Sequence, residues 1–220
     1  MEEGLAAAFG AGVLPTDKRA SAIVDIGAAT TNVTIVAKGS IVHSISERYG
    51  SNAINESIAT HLRRHRGLQV GVETTEHLKT NFASTYLPDD ISKSIEVRGR
   101  DVQTGSPAAV EVTSGEMFPI VESMVRRVAL RVKDTLTELR PEVAADIYDR
   151  GVILTGGGAL LEGIDQYMRS FISLPVTIAD EPRYSTVNGL VKMFDDEKLL
   201  ERVARNELGI LQSAEIPFQA

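Results

Sequence analysis

The sequence contains no cysteine. That excludes a disulfide scaffold, a thiolate zinc site and a thiol nucleophile, and makes a reducing, cytoplasmic location the expectation. Positive charge is also in short supply: 23 Lys and Arg face 30 Asp and Glu, a net charge of -7. A chain built to neutralise nucleic-acid phosphates would be weighted the other way, so no nucleic-acid partner is expected. No apolar run approaches the ~20 residues of a membrane-spanning helix. The opening MEEGLAAAFGAGVLP is acidic where a secretory signal starts basic. Internal repeats and low-complexity tracts are missing too. What remains is an ordinary globular composition, 43% apolar over 220 residues, long enough to bury a core without a metal or disulfide staple.

Three β-branched runs come first, at residues 22–27, 32–37 and 40–47, separated by short turns in the pattern of a β-meander. Residues 51–66 follow with Ile54, Ile58, Ala59 and Leu62 at helical spacing, and Gly67 is placed to end that helix. The middle changes character. Residues 74–85 read as helix, and 94–99 and 108–113 as strands flanking the turn-rich RGRDVQTGSP, which together suggest a small α+β insertion. Met117, Ile120, Val121, Met124, Val128, Val132 and Leu136 form one stripe over 115–139, predicting a long helix interrupted at most at Pro119. Pro141 opens a short helix, 151–155 is a buried-type strand, and Gly156-Gly157-Gly158 leads into a helix expected from 159 to about 171. A strand at 175–178 and helices at 183–194 and 196–208 complete the chain.

Two turns carry chemistry. Asp25-Ile26-Gly27-Ala28-Ala29-Thr30-Thr31 sits where the first strand turns into the second. Such a turn aims backbone N–H groups and threonine hydroxyls at a phosphate, while an aspartate at the strand end holds a hydrated magnesium ion. A plain hairpin of small polar residues is the competing explanation. Thr155-Gly156-Gly157-Gly158-Ala159 stands at a strand-to-helix junction. Three glycines let a ribose or flat ring approach the backbone, and a following helix presents unpaired N–H groups to an anion. A tight connection alone needs only one or two glycines.

In this order, the two turns resemble those of the bacterial actin family, most closely its MreB branch. AIVDIGAATTNVTIVAKGSIVHSISERYGSNAINESI is similar to the family's second phosphate-binding segment, and GVILTGGGALLEGIDQYM to its adenosine-binding segment. TEHLK at 75–79 is similar to its purine-contacting helix, and SIEVRGRDVQTGSPAAVEVTSGEM to its small outer subdomain. The resemblance implies an α/β fold: a ribonuclease-H-like, actin-type ATPase lobe made of a β-meander plus alternating strands and helices, with a small inserted α+β subdomain. The implied division is 1–49 and 114–194 for the core, 50–113 for the insertion, and 195–220 for a C-terminal helix and tail. It also implies the second lobe only. A first lobe with its own Asp-x-Gly loop on a β-hairpin has no counterpart here, and EEGLAAAFGAG resembles the connection between lobes.

Carried over position by position, the resemblance implies a site for ATP and magnesium. Asp25 would hold the metal through water. Gly27, Ala28, Ala29, Thr30 and Thr31 would contact the β- and γ-phosphates, Glu76 and Lys79 would approach ribose and purine, and Gly156, Gly157, Gly158 and Ala159 would wrap the adenosine. Asp25 and Thr31 are the candidates for a catalytic role. The loop departs from the family pattern, with Ala28 and Ala29 in place of glycines and Asn32 in place of an acid. An alanine replacing a glycine of positive φ would cost about 1 kcal/mol and push a methyl into the phosphate space. Ser51-Asn52 stands where Gly-Asp is usual, Asn81 where glutamate is, and Gly189 alone is left of a glycine-rich segment. These departures imply relaxed demand on hydrolysis, because phosphoryl transfer needs phosphates and metal clamped from both sides. The implied partners are further copies or a full-length MreB-like protein in filaments, and a separate first lobe, with membrane contact only indirect. Half of a sugar-kinase or chaperone-type ATPase of the same superfamily, or the product of a split or decaying gene, are the alternatives.

His61 and His65 are spaced i, i+4 but sit among Arg63, Arg64 and Arg66, which favours a solvated basic helix face over a metal site. Arg126, Arg127, Arg131 and Arg140, and the hairpin at 97–102, are candidate partner contacts, with a charged helix surface and a polar hairpin tip as the plain explanations. His43, Ser44 and Ser46 form no nucleophile constellation, since no G-x-S-x-G elbow exists.

Overall fold

The structure, a computed structural model, describes residues 2–86 and 93–204. β1 (Ser21–Ile26), β2 (Thr31–Ala37) and β3 (Ser40–Glu47) form the antiparallel meander. β7 (Val152–Thr155) lies parallel to β1, and β8 (Val176–Ile178) parallel to β7. The sheet order is therefore β3-β2-β1-β7-β8. Every residue of β1 is buried. Strand alternation explains this: Ala22, Val24 and Ile26 enter one core and Ile23 the other, so helices cover both faces.

The larger core lies under α2 (Asn52–His65), α4 (Ser114–Thr137), α5 (Pro141–Arg150) and α6 (Ile164–Ile172). Ile54, Ile58 and Leu62 of α2 and Met117, Val121, Met124, Val128 and Val132 of α4 are the apolar stripes expected from helical spacing, and all are buried. α4 runs through Pro119 without interruption. Pro119 lies past the first turn, so the Gly115 carbonyl loses its usual donor. The helix is held elsewhere, by its buried stripe and by a capping box: Glu116 N–H donates to Thr113 Oγ1 at 3.2 Å, and Thr113 N–H to Glu116 Oε2 at 3.3 Å.

A second, antiparallel sheet has the order β4-β5-β6, from β4 (Leu68–Gln69), β5 (Ser94–Asp101) and β6 (Pro107–Thr113). α3 (Val72–Asn81) connects towards it. Leu68, Leu78, Val97 and Val112 belong to the same continuous cluster as the main core, so the small sheet is packed onto the rest by apolar contact.

On the opposite face lie α1 (Glu3–Gly10), α7 (Ser185–Asp195) and α8 (Glu197–Ala204). α1 and α7 meet backbone to backbone. A methyl on Gly10 would strike the main chain of Ser185, and one on Gly189 the carbonyl of Ala6. α8 begins the segment expected as helix at 196–208. Residues 205–208 of that expectation, with the tail to 220, lie outside the described residues. No helix among the described residues is long and apolar enough to cross a membrane.

Candidate functional site

Parallel pairing of β1 with β7 brings both glycine turns to one sheet edge, with Asp25 opposite Thr155 in register. Carboxyl ends of parallel strands are where α/β sheets bind ligands. Thr155 Oγ1 donates to Asp25 Oδ1 at 3.2 Å. Gly156 has φ +80°, and a methyl there would strike the Ile26 carbonyl and the Asp25 carboxylate, so only glycine fits. Its N–H donates to the Pro182 carbonyl at 2.8 Å.

The helix expected from 159 does not start at the triplet. Gly157–Leu160 form a 3-10 turn, and α6 begins only at Ile164, after Gly163 in the left-handed conformation. The triplet is thus a bare ledge, with no helix N-terminus aimed at an anion. Ala159 is fully buried beneath it.

The first turn is braced by its own backbone. Gly27 N–H donates to Thr30 O at 2.9 Å, Ser51 N–H to Gly27 O at 2.9 Å and Asn52 N–H to Ala28 O at 2.8 Å. Ala28 and Ala29 are exposed. Among the described residues, positive φ outside glycine occurs at Lys38, Ser173 and Glu181. The alanines therefore incur none of the backbone strain that a positive-φ position would impose. Thr31 is buried, and its hydroxyl is committed to the Tyr49 carbonyl, to which it donates at 2.7 Å.

Across from the triplet, α3 supplies Glu76 and Lys79. Lys79 Nζ and Asn55 Nδ2 each donate to Glu76 Oε2 at 2.7 Å. Burial pushes the Glu76 carboxyl up, but these two hydrogen bonds and the charges of Lys79 and Arg183 outweigh it and hold its pKa below the usual value. Between these walls lies a cleft of about 600 Å³, lined by Ala28, Ser51 and Asn52 at one part and by Glu76, Lys79, Gly157 and Gly158 at another.

Two site residues escaped the sequence reading. Glu3 of α1 accepts from Asn32 Nδ2 at 3.1 Å and lies close enough to raise the Asp25 pKa. Burial is the larger cause of that rise, and the Thr155 hydrogen bond opposes it. Asp25 makes no ion pair with a described residue, and no group of three His, Asp or Glu side chains among them is placed to hold a metal. A lone buried carboxylate suits a hydrated magnesium ion carried mainly by phosphates, which keeps several waters, better than a dedicated protein cage. Arg183 lines the cleft and reaches Glu76 through its charge, but forms no hydrogen bond or ion pair with a described residue. The sequence signal for Glu3 was its complement Asn32. For Arg183 it was the preceding proline, whose carbonyl anchors Gly156.

Most of the other candidates have structural partners. His61 Nε2 lies 2.9 Å from Glu116 Oε1 and its ring 4.9 Å from that of His65. Arg66 clamps the same carboxylate at 2.8 and 2.6 Å, which lowers the Glu116 pKa to about 2. Arg127 lies 4.0 Å over the Tyr49 ring and Arg131 donates to Glu47 at 2.9 Å. Arg140 precedes α5 rather than riding on α4.

Comparison with known proteins places this geometry. A family model described as MreB/Mbl protein matches residues 1–202. Cell shape-determining protein MreB of Escherichia coli K12 is 35% identical over 189 residues, 86% of this chain and 54% of that protein. Cell shape-determining protein Mbl of Bacillus subtilis 168 is 36% identical over 202 residues, 91% of this chain and 60% of that one. MreB5 of Spiroplasma citri bound to ADP superposes with a TM-score of 0.86 at 29% identity, covering 94% of this chain and 61% of the other. A MamK double helical filament shares the fold, with a TM-score of 0.71 at 22% identity over 89% of this chain and 59% of that one. The chain spans just over half the length of the curated relatives it matches. These findings favour the cytoskeletal branch over the sugar-kinase or chaperone-type alternative.

Proposed function

The chain belongs to the MreB/Mbl family, and on that premise we propose that it is an actin-like, cell shape-determining protein whose cleft binds an adenine nucleotide with magnesium. The observation that carries the reading is the convergence of two glycine turns and α3 on one cleft of about 600 Å³, within the range of nucleotide-sized sites. The related MreB5 was solved with ADP and with AMPPNP.

In this reading Asp25 holds a metal-bound water, while backbone N–H groups of 28–30 face the phosphates. Magnesium, when bound, supplies neutralising charge at the phosphate oxygens. Gly157 and Gly158 accept the adenosine closely, and Lys79 orients Glu76 towards ribose and purine. Arg183 adds an unpaired cation to the wall. Both glycine turns lie on one sheet edge, so the chain holds phosphates from one side, and turnover by the chain alone is expected to be negligible. The division into a core of 1–49 and 114–194 with an insertion at 50–113 is part of the proposal.

Association is the second part. Tyr184, Val187, Leu190, Val191 and Phe194 on and beside α7 are 36–67% exposed, a concentration of apolar surface that marks an interaction face. A first lobe, completing the actin-like pair, is the proposed occupant, with assembly into filaments following from it. Isothermal titration with Mg-ADP and Mg-ATP tests the cleft. Saturable binding that Lys79→Met weakens at least tenfold is expected, and absence of binding by the intact chain overturns the nucleotide reading.

A further inference from the structure

The first turn of α2 joins the two ends of the cleft. Ser51 N–H donates to Gly27 O at 2.9 Å and Asn52 N–H to Ala28 O at 2.8 Å, while Asn55, almost one turn further along, donates to Glu76. A methyl on Gly50 would strike the carbonyls of Gly27 and Ala28, so the two segments are in direct backbone contact. Two side chains at this junction have no bond to the rest of the protein. Ser51 is 7% exposed and lines the cleft, yet its hydroxyl forms no hydrogen bond with a described residue, its own helix included. Nor is that hydroxyl among the polar atoms sealed from solvent, so it opens on the cleft and is left to water or a ligand. Asn52, exposed on the same wall, has a carboxamide likewise without a hydrogen bond among the described residues.

The pair suits an anion. A serine hydroxyl and an amide NH2 both donate. α2 is 14 residues long with no acidic residue in its first turn, so the positive pole of its dipole is unopposed there and disfavours a cation. The N–H groups of Ala53 and Ile54 are already given to Gly50 O and Ser51 O, which leaves the two side chains as the donors. We propose that Ser51 and Asn52 are a direct phosphate subsite, Ser51 Oγ and Asn52 Nδ2 donating to phosphate oxygens with no metal between. That the phosphates belong to a nucleotide rests on the reading above, whereas the subsite for a diphosphate group does not. Donors that neutralise phosphate without a cation should keep ADP bound, more weakly, when magnesium is withdrawn.

ADP, adenosine and pyrophosphate are titrated into the full chain, with magnesium or with EDTA, by calorimetry and amide NMR. ADP in EDTA should bind no more than about tenfold more weakly than Mg-ADP. Ser51→Ala should weaken ADP about tenfold in both conditions, as loss of a hydrogen bond to a charged group does, and leave adenosine unchanged. Asn52→Asp keeps the size but only accepts. It should weaken ADP about tenfold or more in EDTA and much less with magnesium, which can bridge two anions; a merely structural role would move both conditions alike. Both variants should melt within about 2 °C of the parent, because neither side chain is bonded to the protein. Pyrophosphate in EDTA should saturate with a Kd of about 1–10 mM and shift the Asn52 side-chain amide. Release of ADP by EDTA, equal ADP binding by parent and variants, or no saturation by pyrophosphate overturns the proposal. If Mg-ADP binds and the variants do not differ, the subsite falls and the nucleotide reading stands. If neither ADP nor adenosine binds while pyrophosphate saturates and responds to both substitutions, the nucleotide reading falls and the subsite stands.

Discussion

Replacing Gly156 and Gly157 in turn by alanine separates a stability requirement from a binding requirement within three residues of chain. At Gly156, φ is +80°, where an alanine costs about 1 kcal/mol more than glycine. Its methyl also meets the Ile26 carbonyl and the Asp25 carboxylate, main-chain and buried atoms that do not move aside, and overpacking of this sort adds roughly 1–3 kcal/mol. The sum is about 2–4 kcal/mol, or a Tm lowered by roughly 4–16 °C in a chain of this size. Gly157 is different: its φ is not positive, and the nearest atom to a methyl is Arg183 Cγ at 3.9 Å. Gly157→Ala should leave stability within about 0.5 kcal/mol, yet it places a methyl on the cleft wall and should weaken Mg-ADP binding about tenfold. Thermal unfolding by circular dichroism and isothermal titration give the two readouts. The reasoning is refuted if Gly156→Ala melts like the parent, or if both alanines lower Tm equally.

Asp25→Asn should have effects of opposite sign. The Asp25 pKa is raised by burial and by Glu3, so its contribution is stabilising only below the unfolded value near 3.9 and is lost as pH rises through the folded one. At pH 7 the charge therefore costs stability, and the amide should raise Tm while lowering Mg-nucleotide affinity at least tenfold; a lowered Tm counts against this account. Glu116 is the reverse case, its pKa held down at about 2 by Arg66 first and His61 after it. Its stabilisation is present above the unfolded value near 4.3 and disappears as pH falls through about 2. Glu116→Gln should flatten that acid limb and cost about 1–2 kcal/mol at pH 7, which urea titrations across pH will show or exclude. Finally, Val191→Asp with Phe194→Asp should leave Tm nearly unchanged, since both side chains are exposed, but abolish co-sedimentation with a separately produced first lobe of a relative. Undiminished co-sedimentation removes α7 as the association face.

The strands and amphipathic helices were legible because their apolar positions repeat at the right period. Ile54, Ile58 and Leu62, or Met117 to Val132, can be placed on one face without knowing what covers them. α1 was not assigned as helix because its residues from Gly4 to Phe9 are buried all round, leaving no periodic contrast between faces. β4 is two residues long, too short to carry a pattern. The delayed start of α6 follows Gly163 at φ +77°, a position where a side chain would strike Thr85 and Tyr86, far away in sequence. For the candidate site, motif spacing located both glycine turns. Glu3, Arg183 and the commitment of the Thr31 hydroxyl to the Tyr49 carbonyl are consequences of packing between distant elements and left little mark on the local sequence.

The conformations of the two turns also set how freely each end of the cleft can evolve. Ala28 and Ala29 occupy ordinary backbone conformations, and a glycine codon becomes an alanine codon by one base change. The loop proposed to face the phosphates can therefore exchange these residues back and forth with little effect on folding. Gly156 has no such freedom, because its neighbours on β1 leave no room for a side chain. The loop of Ala28 and Ala29 is thus open to neutral variation while Gly156 is fixed by the fold, so residues proposed to face the phosphates can change without the loss of stability that a change at Gly156 brings.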